Sequence, residues 1–286
     1  MQKVVFENNR GSSITFSNQP PFVLSSIEGL GDLEASIQDQ KAPYQDGSTF
    51  IDSSMETRPI PIEFSILANN YSEISKYRNK VSSIFNPKLG EGLLTYENNS
   101  GKWEIKCVSE SSPFFPSGDN RGPTYQVGSL NLIAHHPYWR EKIIKSSQMS
   151  FVMGGFSFPL RLGTQFSQRS FRRIFKNDGD VETPVHIEFR GPAINPVIKN
   201  NTTGEFIQVN RTLSETDKLI IDTTFGQKSV EIEDAEGNRT DAFNWINPQS
   251  WFFQLQIGEN QLEYNSNNDS TKTRVVISYR NMYVGV

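Results

Sequence analysis

The chain has 286 residues, with 28 Lys plus Arg against 32 Asp plus Glu, one cysteine and three histidines. A chain of this length buries a full core unaided, and the single Cys107 rules out an internal disulfide framework or a zinc site of several thiolates. The net charge of −4 argues against a bulk positive field for nucleic acid, and the 35% apolar and 21% charged content argue against a disordered tail.

The opening MQKVVFENNRGSS has no signal-peptide core, and no apolar run approaches the roughly 20 residues of a membrane span. The expectation is a protein made in a cytoplasm and not exported by a signal of its own. Phe22-Val23-Leu24 is the first short strand. A long polar stretch at about 34–57 follows, with no evident core face. Within Arg58–Leu67, Ile60, Ile62, Phe64 and Ile66 alternate with other residues, the period of a half-buried strand. Pro59 and Pro61 each lack a backbone donor, so this strand is expected to start at a sheet edge or lie outside a central position.

One helix is expected, at about 71–85. Tyr71, Ile74, Tyr77, Val81, Ile84 and Phe85 recur at helical spacing, Asn70 with Glu73 has the pattern of a capping box, and Asn86-Pro87 ends it. A hairpin follows, Leu93–Glu97 and Lys102–Val108, turned by Asn98-Asn99-Ser100-Gly101. Trp103, Ile105 and Cys107 share one face, so Cys107 reads as a core thiol. Residues 113–123 are a loop and 124–134 a strand. The polar stretch Glu141–Ser150 is expected to be a connector, with a domain boundary at residue 140.

The second half, 141–286, is nearly all strand and turn. The expected strands are Val185–Phe189, Val197-Ile198, Phe206–Val209, Leu219–Ile221, Val230–Ile232, Trp251–Ile257, Gln261–Tyr264 and Arg274–Tyr279. That spacing, with no convincing helix, fits a β-sandwich.

No catalytic set assembles. Gly29-Leu30-Gly31 and Gly90-Glu91-Gly92 lack the third glycine of a dinucleotide loop and read as tight turns. His135 and His136 are adjacent, so on an extended chain they point to opposite faces and do not share a metal. Glu231 and Glu233 share a strand face, which reads as solvated surface rather than a carboxylate pair for glycoside cleavage. Phe243, Trp245, Trp251, Phe252 and Phe253 either fill the sandwich core or meet a sugar ring. Strand parity with Phe253 and Leu255 places Trp251 in the core. Trp245 lies near Asn244 and Asn247-Pro248 in a loop setting, and it is the candidate sugar contact. No cofactor or metal is expected.

The first 140 residues resemble the distal tail protein family of siphophages infecting Gram-positive bacteria. The features that carry the likeness occur in order. Tyr44-Gln45-Asp46-Gly47-Ser48-Thr49-Phe50 leads to Arg58-Pro59-Ile60-Pro61-Ile62, and the helix bearing Arg78 runs into Phe85-Asn86-Pro87-Lys88. Gly90-Glu91-Gly92-Leu93-Leu94-Thr95-Tyr96, the Trp103–Val108 strand and Pro113-Phe114-Phe115 follow. The close is Ala134-His135-His136-Pro137-Tyr138-Trp139-Arg140. The second half matches in being β-rich, in length and in ending Met282-Tyr283-Val284-Gly285-Val286.

The resemblance implies a mainly β protein. Its N-terminal ring domain, 1–140, is a sandwich or split barrel with one helix and an extended arm, and its C-terminal domain, 141–286, is a galectin-like sandwich. It implies a homohexameric ring in the virion tail tip, assembled in the host cytoplasm, without enzymatic activity. The ring joins the tail tube protein to the tail-associated hub or tail-fibre protein, alongside the tape-measure protein. It serves as a docking platform for host adsorption, carrying a receptor-binding protein or meeting a cell-wall glycan. Tyr44, Phe50, Ile51 and Arg58 are then the arm residues expected at the subunit interface. The alternative is a carbohydrate-binding module that recognises host cell-wall glycans. Neither reading needs nucleic-acid specificity or a membrane segment.

Overall fold

The computed structural model describes residues 2–149, 171–267 and 272–286. Strand dominates it, with one α-helix among the described residues. The chain divides into two compact units, Met1–Lys142 with Tyr283–Val286, and Ile143–Met282. Tyr283–Val286 thus belong with the first unit, where the sequence reading assigns everything after residue 140 to the second.

The first unit contains β1 (Lys3–Glu7), β2 (Ser13–Phe16), β3 (Phe22–Ile27), β4 (Ala35–Gln40), β5 (Thr49–Met55), β6 (Arg58–Leu67), α1 (Tyr71–Ile84), β7 (Gly92–Glu97), β8 (Lys102–Ser109), β9 (Tyr125–Ala134) and β10 (Trp139–Glu141). The main sheet runs β2-β1-β7-β8-β9-β6-β3. It does not close into a barrel; its end strands approach through one isolated bridge, Ser17 with Val23.

The alternation in β6 has the expected consequence, since Ile60, Ile62, Phe64 and Ile66 are all fully buried. The strand is next to last in the sheet, and it starts as an edge, since before Ile62 its only ladder partner is β9. It lies between β9 and β3. The prolines are tolerated because β3 pairs only as far as Ile27 opposite Ile62. The Pro61 carbonyl, accepting from Glu28 N at 3.1 Å, faces the β3 side, and in an antiparallel strand the missing Pro61 donor faces the same way, past the end of that ladder.

Helix α1 buries Ile74, Val81 and Ile84 against this sheet's core, while Tyr71 stays exposed. Asn70 caps it by accepting from Glu73 N at 3.0 Å, and Glu73 Oε2 accepts in return from Asn69 N, one residue earlier than in the usual box, at 3.0 Å. The β7–β8 hairpin forms with Gly92 opposite Cys107, and Cys107 is fully buried.

The second unit contains β11 (Lys145–Met149), β12 (Arg172–Asn177), β13 (Val185–Arg190), β14 (Ala193–Ile194), β15 (Val197–Asn200), β16 (Phe206–Gln208), β17 (Thr212–Leu213), β18 (Lys218–Asp222), β19 (Ser229–Glu233), β20 (Arg239–Asp241), β21 (Gly258–Asn265) and β22 (Arg274–Tyr279). One sheet runs β11-β22-β13-β18-β19-β20 and the other β12-β21-β15-β16. Ile187, Leu219 and Val275 of the first sheet and Phe175, Ile198 and Leu262 of the second enter one core, which makes the unit a sandwich.

Two sequence expectations are corrected here. Glu141–Ser150 is not a simple connector, because Lys145–Met149 pairs with β22 in register. Trp251–Ile257 is not a strand and Trp251 is not core. Phe253 N donates to Trp251 O at 2.9 Å, so the chain folds back there and parity is lost. Phe253 and Leu255 are buried, but Trp251 is 68% exposed and Ile257 is exposed too.

Candidate functional site

The most conspicuous feature is the pair β4–β5, a two-stranded sheet apart from the others. An isolated hairpin in water is marginal, so apolar side chains on it need a reason. Ile37 is 67% exposed, Phe50 64%, Ile51 58% and Met55 42%.

The register decides how these four are arranged. Ala35 faces Met55, Ser36 Ser54, Ile37 Ser53 and Gln38 Asp52, and then the register shifts so that Asp39 faces Phe50 and Gln40 faces Thr49. Ile51 is the extra residue of a bulge. Directly opposed residues share a face and alternate residues return to it. Ile37 therefore shares its face with Ser53, hence with Ile51 and Met55. Asp39, two residues on from Ile37, brings Phe50 to that face as well. Without the bulge, Phe50 and Ile51 would point to opposite sides. The other face carries Ser36, Gln38, Gln40, Thr49, Asp52 and Ser54 and is polar.

Charge is also concentrated on the arm. Residues 34–57 contain Glu34, Asp39, Asp46, Asp52 and Glu56 against Lys41 alone, which equals the −4 of the whole chain and leaves the remainder balanced. Gln45 braces the tip, since its Oε1 accepts from Ala42 N at 2.9 Å and its Nε2 donates to Thr49 Oγ1 at 3.2 Å. This turn presents Tyr44, fully exposed, with a positive φ of 63°.

Of the residues singled out in the sequence, Phe50 and Ile51 come together on the apolar face and Tyr44 stands at the tip. Arg58 does not join them. It is fully buried, its Nη1 donating to Gly29 O at 2.8 Å, its Nε to Pro137 O at 2.6 Å and its Nη2 to Val284 O. Burial lowers its pKa, and the Asp32 carboxylate opposes that shift. Ile37 and Met55 were missed, since their place on the face depends on register and bulge.

In the second unit Trp245 is half-buried against the sandwich core, with the Arg211 guanidinium carbon 4.0 Å from its ring centroid, so one ring face is covered. Among the described residues of this unit the exposed rings are Trp251, Phe225 and Phe243, the last stacked on Phe252 with centroids 5.7 Å apart. Glu231 and Glu233 are bridged by Arg239 at 3.3 and 3.0 Å, and Lys218 holds Glu233 at 2.8 Å. Both carboxylates are therefore engaged in surface ion pairs. His135 and His136 are exposed, and His186 lies 3.6 Å from Asp222 across the β13–β18 ladder. Burial raises the Cys107 thiol far above its ordinary range. No cluster of potential metal ligands occurs among the described residues, and no helix there is long and apolar enough to cross a membrane.

Two family models match in chain order. Residues 9–134 match a phage tail protein RIFT-related domain, and residues 178–283 match the C-terminal domain of a siphovirus-type tail component. The chain belongs to the siphophage distal tail protein family. It is a structural component of the phage tail and baseplate. Among solved structures it is similar to the Dit protein of phage SPP1, described as a paradigm of the hub adsorption apparatus in phages infecting Gram-positive bacteria. That match has 11% identity and a TM-score of 0.69 and covers 98% of each chain. Chains of the phage p2 baseplate in its activated conformation, with Ca and with Sr, match at 11% identity with TM-scores of 0.57 and 0.56, covering 98% of this chain and 97% of each of those. At such identity the structural likeness carries the fold. A sequence search of curated proteins finds no match.

Proposed function

We propose that this chain builds a homohexameric ring at the distal end of the tail, with each arm laid on the next copy. The observation that carries this reading is the apolar face of Ile37, Phe50, Ile51 and Met55 on a hairpin that has no sheet of its own to cover. A heterologous contact repeated by rotation closes into a ring, and each arm then gains the burial it lacks in a single subunit. The ring joins the tail tube to the hub or tail-fibre protein below and abuts the tape-measure protein. The sandwich unit serves as a docking platform for host adsorption, and the protein performs no catalysis. Electron microscopy of tail tips tests this by copy number. Six copies with the arm on a neighbouring subunit are expected, and any other closed number refutes the ring.

A second reading, glycan recognition by the sandwich unit, is favoured by the exposure of Trp251 and Phe225. A glycan array probed with the full chain tests it, and binding lost in Trp251→Ala without loss of fold is the supporting result.

A further inference from the structure

We infer that Arg58 is the positioning residue of the arm: its guanidinium ties the two legs of the hairpin to the segment Tyr283–Val286 and so sets the direction in which the arm leaves the sheet. The relevance to assembly rests on the arm reading above; the geometry does not.

The arm is joined to the sheet by two short legs, residues 28–34 on entry and 56–57 on exit. Gly29 stands at the start of the first leg, just after β3, and Arg58 stands at the end of the second, as the first residue of β6. A side chain that only filled this space would be apolar, because a buried charge is costly unless its hydrogen bonds are made. Arg58 instead spends a rigid fork of donors on main-chain carbonyls from three separate stretches of chain, Gly29, Pro137 and Val284.

Gly29 O also accepts from Trp139 Nε1 at 3.1 Å, and Gly29 N donates to Asp32 Oδ1 at 3.0 Å. Gly29 is thus held on both sides, its carbonyl by Arg58 and Trp139 and its N–H by Asp32 of the same leg. The segment Tyr283–Val286 touches this same leg independently of Arg58. Val286 N donates to Leu30 O at 2.8 Å, and a Cβ added at Gly285 would lie 3.1 Å from Gly31 Cα. Tyr283 Oη donates to Glu141 Oε1 at 2.7 Å, which holds the segment on β10. One short stretch therefore clamps the entry leg through Leu30 and the exit leg through Arg58. Between the legs, Glu56 N donates to Glu34 O at 2.9 Å, so what fixes the root is passed into the hairpin ladder.

The test is a distance measurement in the intact chain. Spin labels are placed at the arm tip by Ser48→Cys and on the β7–β8 turn by Ser100→Cys; Cys107 is buried and takes no label. The unaltered background is expected to give one narrow distance population. Arg58→Lys keeps the charge and loses the fork, and deletion of Val284–Val286 removes the clamp. Both are expected to broaden the distribution, with amide exchange at Gly29 and Glu56 rising about tenfold while β1, β7 and β8 stay protected. A narrow, unchanged distribution in a folded variant overturns the inference. If Arg58→Lys fails to fold, the deletion decides by the same criterion. Tail tips are not involved, so failure of the ring reading and failure of this one are separately visible.

Discussion

Phe50 stands opposite Asp39 across the arm, one residue out of step with the Gln38–Asp52 pair beside it. That slip gathers Ile37, Phe50, Ile51 and Met55 on one face. If the face is an interface, its truncation acts on assembly and not on folding. Phe50→Ser with Ile51→Ser is expected to leave subunit unfolding within about 0.5 kcal/mol of the parent, as for exposed positions. Assembly is expected to weaken by about 2 kcal/mol or more, the scale of buried aromatic anchors. Calorimetry of the subunit and complementation of a tail-defective phage are the two measurements. Infectious tails built by the double variant would refute the proposal.

Gly29→Ala is expected to destabilise the first unit severely. The residue has φ +77°, and an added Cβ would lie 2.4 Å from Pro59 O, a main-chain atom that cannot move aside cheaply. Gly11 is the control, with φ +76° and nothing within 4 Å of an added Cβ. Gly11→Ala is expected to cost about 1–2 kcal/mol, the backbone conformation alone, and Gly29→Ala clearly more. Denaturant midpoints of the two variants check this, and equal losses would show that the close approach to Pro59 is unimportant.

The sequence was legible where one period governs one element. β6 follows its alternation into the core residue by residue, and α1 begins at its Asn70 cap and stops at Ile84, just short of Asn86-Pro87. Arg58 illustrates the opposite case. Its partners lie at positions 29, 137 and 284, and no local pattern joins them. The arm's apolar face was also hidden, because a one-residue bulge moves Phe50 to the side that regular alternation denies it. Parity misplaced Trp251 for a related reason, since it presumes an extended chain and the Trp251–Phe253 backbone doubles back.

That error yields a paired prediction. Phe253→Ala empties a core site in the second unit and is expected to cost about 3–5 kcal/mol. Trp251→Ala removes a larger but exposed ring and is expected to stay within about 0.5 kcal/mol of the parent. Urea unfolding followed in the second unit separates the two. A Trp251→Ala loss comparable with that of Phe253→Ala would return Trp251 to the core.

The acid limb of stability in the second unit should carry a contribution from Asp178. Its carboxylate accepts from Lys145 Nζ at 2.8 Å and lies 2.7 Å from Lys176 Nζ. Lys145 is on β11 of the larger sheet, and Asp178 follows β12 of the smaller one, so the bridge joins the two layers of the sandwich. Hydrogen bonds from Lys145 and then Lys176, reinforced by their charges, hold the carboxyl at about 2 against an ordinary 3.8. A folded-state pKa below the unfolded one means stabilisation that is present above the unfolded value and lost as pH falls through the folded value. The parent should therefore lose its advantage over Asp178→Asn between about pH 4 and about pH 2. The group is exposed, so salt screens the effect, and the difference between the two proteins should shrink at high ionic strength. Melting curves of both across that range at low and high salt make the check. A gap that stays constant down to the acid end would mean that the bridge contributes through packing rather than through its charge.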